Sequence, residues 1–245
     1  MKKFLFTILL ISIFSHSQNK TNFDQLYPDK NIKIEYHDDW GRNNYNKIIE
    51  EFKKSPLKVG DIVFLGNSIT QGGKDWSKRF NYPNIRNRGI GGDVTDGILA
   101  RIREIYYFKP RAVFLLIGIN DLYNNSPSDP SPKYIANNIV KIAYLIKKES
   151  PNTQIFVQTT LPINRLDLIG KVNNEKIKEN IIIINTLIKK NENINIYKVI
   201  DLYSVFVNDE GLIKSEFTHD GVHLNERGYK AWVDFVKPIL YTFKK

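Results

Sequence analysis

At 245 residues, with 42% hydrophobic and 25% charged side chains, the chain can bury one substantial core but not two generous domains. It has no cysteine, which excludes disulfides, a thiolate nucleophile, cysteine-ligated metal and a lipid-modified cysteine. The formal net charge of +10 comes from lysines spread along the chain, with no basic run interleaved with aromatics, so it reads as a solvated surface and not as a nucleic-acid footprint.

Met1 to Ser17 has the layout of a secretory signal peptide: Lys2 and Lys3, an apolar run from Phe4 to Phe14, then Ser15, His16 and Ser17, with cleavage expected before Gln18. The 11-residue run falls short of the roughly 20 residues that span a bilayer, so no stable membrane anchor is expected after cleavage. Losing the two lysines leaves a charge of +8, and the mature protein is expected to be periplasmic or extracellular. Residues 18–60 are expected to form an N-terminal arm and helix packed on the outside of a catalytic domain over residues 61–245. Tyr45, Ile48, Ile49 and Phe52, spaced three to four apart, predict an amphipathic helix from Trp40 to Lys54.

Short apolar runs then recur at Ile62 to Leu65, Ile85 to Ile90, Ala112 to Ile117, Ile155 to Gln158 and Ile194 to Ile200. Helix-length amphipathic stretches separate or follow them: Val94 to Tyr107, Tyr134 to Lys148, Lys171 to Lys190 and Glu226 to Phe243. Val113 to Ile117 shows no alternation, as expected of a strand covered on both faces. Ile98, Leu99, Ile102, Ile105 and Tyr106 share one stripe, and Asp93 is placed to cap that helix. Ile181 to Ile184 resembles a strand, but Ile177, Leu187 and Ile188 continue a helical period. Strands alternating with helices predict a parallel sheet with right-handed crossovers, an α/β fold of three α/β/α layers. The densest turn region, Asn124 to Pro132, follows a strand and is expected near the site.

In such sheets ligands bind beyond the carboxyl ends of the strands, so the residues directly after each apolar run carry the information. After the first come Gly66, Asn67 and Ser68; a serine at a strand-to-helix turn can attack with its Oγ and donate its own N–H, but it can equally be a helix cap. After the second come Gly89, Ile90, Gly91, Gly92 and Asp93, a close-approach loop or a plain tight turn, matching neither the P-loop nor the dinucleotide fingerprint. After the third, the Asn120 amide can donate to a developing oxyanion or serve an Asn/Asp turn. Near the C-terminus Asp220 and His223 are three apart, so the carboxylate can hold the imidazole tautomer while the other ring nitrogen faces Ser68. A metal there would need more ligands than His219, Asp220 and His223 obviously offer.

Together the blocks GNSIT, NRGIGGD, GIND and DGVH resemble the GDSL, or SGNH, hydrolase superfamily from about Asp61 to Tyr229. The resemblance implies a flavodoxin-like five-stranded parallel sheet and a serine esterase working without metal or organic cofactor. Ser68 would be the nucleophile, His223 the acid-base and Asp220 its orienting carboxylate. Ser68, Gly92 and Asn120 would form the oxyanion hole. Asn67 departs from the aspartate of the family name, which touches the bracing of the serine loop and not the triad. The wording of NRGIGGD and GIND is similar to the platelet-activating-factor acetylhydrolase-like branch and to bacterial carbohydrate or sialate O-acetylesterases, which implies a preference for acetyl esters. On that analogy the substrate is a small-molecule or glycan ester, and Trp76, Arg88, Tyr123 and Arg165 are candidates to line its pocket. The competing readings are a lysophospholipase or lipase on the same triad and a non-catalytic glycan-binding module of the same fold.

Overall fold

The computed structural model describes residues 23–122, 130–164 and 174–244. The expected signal peptide lies outside these residues, as does most of the turn region from Asn124. In chain order the elements are α1 (Asp39–Lys54), β1 (Ile62–Gly66), α2 (Ser68–Gln71), α3 (Trp76–Phe80), β2 (Ile85–Gly89), α4 (Thr95–Ala100), α5 (Arg103–Phe108) and β3 (Ala112–Leu116). They continue with α6 (Pro132–Glu149), β4 (Gln154–Gln158), α7 (Asn174–Lys190), β5 (Lys198–Ile200), α8 (Tyr203–Phe206) and α9 (Glu226–Leu240).

The five strands form one parallel sheet in the order β2-β1-β3-β4-β5. β1 and β3 are buried along their whole length, which is why their sequences are unbroken apolar runs. α3 packs on α9, and α6 packs on α4, α5 and α7, the two groupings that right-handed crossovers would give this strand order. Beside α3 and α9 the register partners Phe64, Phe114 and Phe156 stack in a row, with centroids 4.9 and 4.7 Å apart. Trp76 stacks on Phe64 at 4.5 Å, and Trp232 of α9 meets Trp76 edge-on at 4.8 Å.

Local chemistry sets the helix ends. Asp38 caps α1 by accepting from Gly41 N at 2.6 Å, and Lys53 and Lys54 sit in its last turn, where cations favour the dipole. Ser131 caps α6 ahead of a proline at its first position. Asn225 caps α9, accepting from Gly228 N at 3.0 Å.

Two elements depart from the sequence-based expectation. The helix expected over Val94 to Tyr107 breaks into α4 and α5 at Arg101 and Ile102. The apolar stripe is intact, with Ile98, Ile102 and Ile105 buried, but the Arg101 guanidinium turns into the core to meet Asp93. Asp93 therefore does not cap the helix; Val94 holds that position without a side-chain bond. The last strand is shorter than the run from Ile194, because Asn193 accepts from Asn195 N at 3.0 Å and starts a turn that leaves Ile194 exposed. Residues 23–38 also do more than lie on the outside, since Tyr27, Ile34 and His37 are buried.

Candidate active site

The strand order reverses between β1 and β3, and the loops after β1, β2 and β3 meet at that crevice. Ser68 is the first residue of α2, so its N–H belongs to the donors that the helix itself leaves unsatisfied. Asn67 is the cap, its Oδ1 accepting from Ile69 N at 3.0 Å; an amide oxygen does there what a carboxylate would. Gly89 is required because a Cβ would strike the backbone of Asn67 and Gln71, which lets α2 start against the end of β2.

The four blocks are interlocked by side-chain bonds. Gln71 of α2 accepts from Gly91 N at 2.9 Å, and Asn120 donates through Nδ2 to the Asp93 carbonyl at 2.9 Å. Gly92 has φ +78°, a conformation that favours glycine, and lies between those two anchors. Thr95 donates its hydroxyl to Asp121 at 2.6 Å, tying the start of α4 to the loop after β3. The Asp121 carboxyl is fully buried, and burial is the main reason its pKa rises to about 7.

The loop before α9 brings the last two residues. His223 Nε2 lies 2.9 Å from Ser68 Oγ, and Nδ1 lies 2.6 Å from Asp220 Oδ2. The other Asp220 oxygen accepts from the backbone N–H of His223 at 2.7 Å and of Val222 at 2.9 Å. Burial alone would raise the Asp220 pKa, but the bonds from the His223 ring and the two amides outweigh it and hold it at about 2. The carboxylate is therefore ionised at neutral pH, so the imidazole keeps its proton on Nδ1 and turns its basic nitrogen to the serine. Thr218 fixes the loop by donating to the His223 carbonyl at 2.8 Å. Arg79 of α3 makes two 2.9 Å bonds to Glu226 of α9 and braces the serine side against the histidine side.

His219, Asp220 and His223 offer three metal-ligating atoms within 4.8 Å of one another. Both ring nitrogens of His223 are already engaged, one by Asp220 and one by Ser68, so that arrangement would have to be dismantled to chelate an ion. Grooves of about 480 and 520 Å³ flank the loop, the first lined by Ser68, Lys74, His223 and Tyr229, the second by Asn164, Ile213 and Asp220.

Ser68, Asp220 and His223 thus come together, with Gly92 and Asn120 joined through Asp93. Two expected pocket residues do not. Trp76 is fully buried in the aromatic row, donating its indole N–H to the Thr70 carbonyl at 3.1 Å. Arg88 is buried against Glu104, with bonds of 2.9 and 2.8 Å, and over the Phe52 ring. Each holds the scaffold and cannot touch substrate. Tyr123 and Arg165 lie outside the described residues.

Sequence reasoning missed two neighbours of the site. His37 Nε2 lies 3.2 Å from Asp93 Oδ1, while Arg101 Nε donates to Asp93 Oδ2 at 2.9 Å; all three side chains are buried. This cluster sits directly behind the Asp93 carbonyl that holds Asn120, and no spacing links residues so far apart in sequence. Trp40, the other, lies against Gly91 and Gly92. Its signal was a tryptophan in a predicted helix but off the apolar stripe.

The model of the GDSL-like lipase/acylhydrolase family matches residues 64–231. Over 197 residues, the chain is 26% identical to platelet-activating factor acetylhydrolase IB subunit alpha2 of Rattus norvegicus, covering 78% of this chain and 80% of that protein. Among solved structures, a GDSL-like lipase from Bacteroides thetaiotaomicron has a TM-score of 0.68 at 24% identity, covering 81% of this chain and 98% of that one. An acetyl xylan esterase has a TM-score of 0.57 at 21% identity over 74% of this chain and 99% of its own. These last two likenesses concern the fold.

Proposed function

Since the chain belongs to the GDSL-like lipase/acylhydrolase family and is a carboxylic ester hydrolase, we propose that it removes short acyl groups, acetyl above all, from a carbohydrate by two-step transfer through Ser68. The observation that carries this reading is His223 bridging Ser68 at 2.9 Å and Asp220 at 2.6 Å.

In the first step Ser68 Oγ attacks the ester carbonyl while His223 Nε2 takes the hydroxyl proton. The imidazolium so formed lies against the Asp220 carboxylate. The carbonyl oxygen becomes an oxyanion that accepts from the N–H groups of Ser68 and Gly92 and from the Asn120 amide. Each such donor is worth about 10²- to 10³-fold in rate. Collapse breaks the ester C–O bond, and the alcohol leaves with the proton from His223. Water, deprotonated by the same nitrogen, then attacks the acyl-serine, and collapse returns the proton to Ser68 Oγ and releases the acid.

The acetyl preference and the carbohydrate alcohol are drawn from relatives: one is named an acetylhydrolase, and a structural neighbour is an acetyl xylan esterase. The residue 1–17 pattern adds export to the periplasm or beyond, where such glycans are met. Acetate release from acetylated xylan, sugars and sialic acids tests the reading, with Ser68→Ala, expected to lose about 10⁶-fold, as the blank. Release unchanged in that variant refutes the nucleophile. In an aryl ester series from acetyl to decanoyl, a maximum at octanoyl or longer replaces the acetylesterase with a lipase.

A further inference from the structure

We propose that Trp40 is a stacking platform for a pyranose ring of the substrate, a subsite built on the helix that precedes the catalytic domain. The inference rests on the carbohydrate reading above and adds to it the surface that would recognise the alcohol side of the ester.

The chain has three tryptophans, and they divide sharply. Trp76 and Trp232 are 0% exposed in the core, whereas Trp40 is 62% exposed. An exposed indole is ordinary on its own. This one is held at the site. A Cβ on Gly92 would come within 2.9 Å of Trp40 Cζ3, and one on Gly91 within 3.1 Å of Cη2, so two glycines in succession make room for the ring. Those glycines form the turn that presents the Gly92 N–H to the oxyanion. The exposed part of the indole, packed on that turn, is the neighbour proposed for an ester seated there.

The mounting is rigid. α1 is anchored by buried Tyr45, Ile49 and Phe52, and Gly41, next to Trp40, packs against Gly92. One turn further on, Asn44 donates through Nδ2 to the Gly91 carbonyl at 2.9 Å. A flat apolar ring edged by amide groups such as Asn44 and Gln71 suits a pyranose, whose faces carry C–H bonds and whose rim carries hydroxyls. A quaternary ammonium head group asks for several aromatic faces around one cation, and among the described residues no second ring pairs with Trp40.

Because Trp76 and Trp232 are buried, acrylamide quenches chiefly the Trp40 share of the emission, and loss of that quenching reports its occupancy. The Ser68→Ala chain is titrated with unacetylated xylotetraose while emission and acrylamide quenching are followed. A saturable change with protection from acrylamide is expected; no change up to the solubility limit overturns the platform. Protection by phosphocholine and not by the oligosaccharide overturns it in favour of a lipid head group. In the otherwise wild-type chain, Trp40→Ala should lower the ratio of kcat/KM on acetylated xylo-oligosaccharide to that on ethyl acetate roughly ten- to a hundred-fold, chiefly through KM. Trp40→Phe should restore most of it, which a general loosening of the glycine turn would not do. An unchanged ratio refutes the inference. If wild type releases no acetate from any glycan, the deacetylase reading fails by itself, and the quenching titration still decides for or against the platform.

Discussion

Replacing Asp121 with asparagine should flatten the dependence of stability on pH between about 4 and 7. The Asp121 carboxyl is fully buried; burial raises its pKa from 3.8 to about 7, with Asp96 adding to the rise and the Thr95 hydroxyl and N–H opposing it. In the unfolded chain the group loses its proton near 4, whereas the folded chain keeps it to about 7. Across that window the folded state holds one proton more, so stability falls as pH rises, by about 1.4 kcal/mol for each unit. The contribution is fully present below 4 and lost through about 7, roughly 4 kcal/mol in all. Urea unfolding of the two chains from pH 4.5 to 8 measures it, because every other titrating group cancels in the difference. Free energies that run parallel for wild type and Asp121→Asn across the window would refute the reasoning.

Three further outcomes are expected. Arg88→Ala should cost about 3 to 5 kcal/mol by leaving buried Glu104 unpaired, and should leave KM for aryl acetates unchanged; a raised KM at intact stability would return Arg88 to the pocket. The Asp220 pKa is lowered to about 2, so its contribution stands above pH 3.8 and is lost as pH falls through 2. After discounting for its exposure this is about 1 kcal/mol, and Asp220→Asn should abolish it while reducing kcat about 10⁴-fold, read by acid titration of stability and by aryl acetate turnover. His37→Ala should cost about 2 to 3 kcal/mol by removing a buried bond to a carboxylate, and should lower kcat more than it raises KM, because Asp93 carries the carbonyl that holds Asn120. His37→Gln, with a donor of similar reach, should recover part of both in denaturation and steady-state assays.

The parts of the molecule legible in the sequence are those in which one residue's surroundings repeat along the chain. β1 and β3 announce themselves because both faces of each are covered, and α7 survives its isoleucine run because the helical period continues on both sides. Ser68, Gly92, Asn120, Asp220 and His223 stand at strand or loop ends, where the fold itself directs attention. Polar pairs buried across long sequence distances leave no such trace. Arg88 lies near the end of β2 and looks like a binding residue until Glu104, 16 positions on, is seen to hold it. Asp93 has the position of a helix cap, yet its carboxylate answers to His37 and Arg101. Trp76 is near the serine block in sequence but is held between Phe64 of β1 and Trp232 of α9, far along the chain.

The packing of residues 23–38 and α1 bears on how small a working enzyme of this type can be. The family's shared portion, residues 64–231, ends one residue before Trp232 and begins after His37, Trp40 and Phe52. A chain cut to those limits would keep Ser68, Gly92, Asn120, Asp220 and His223, the residues proposed for the reaction. It would lose an indole that completes the aromatic stack and the imidazole behind Asp93. The packed unit therefore extends beyond the recognised one at both ends, back at least as far as Tyr27, whose hydroxyl donates to Glu104 at 2.8 Å.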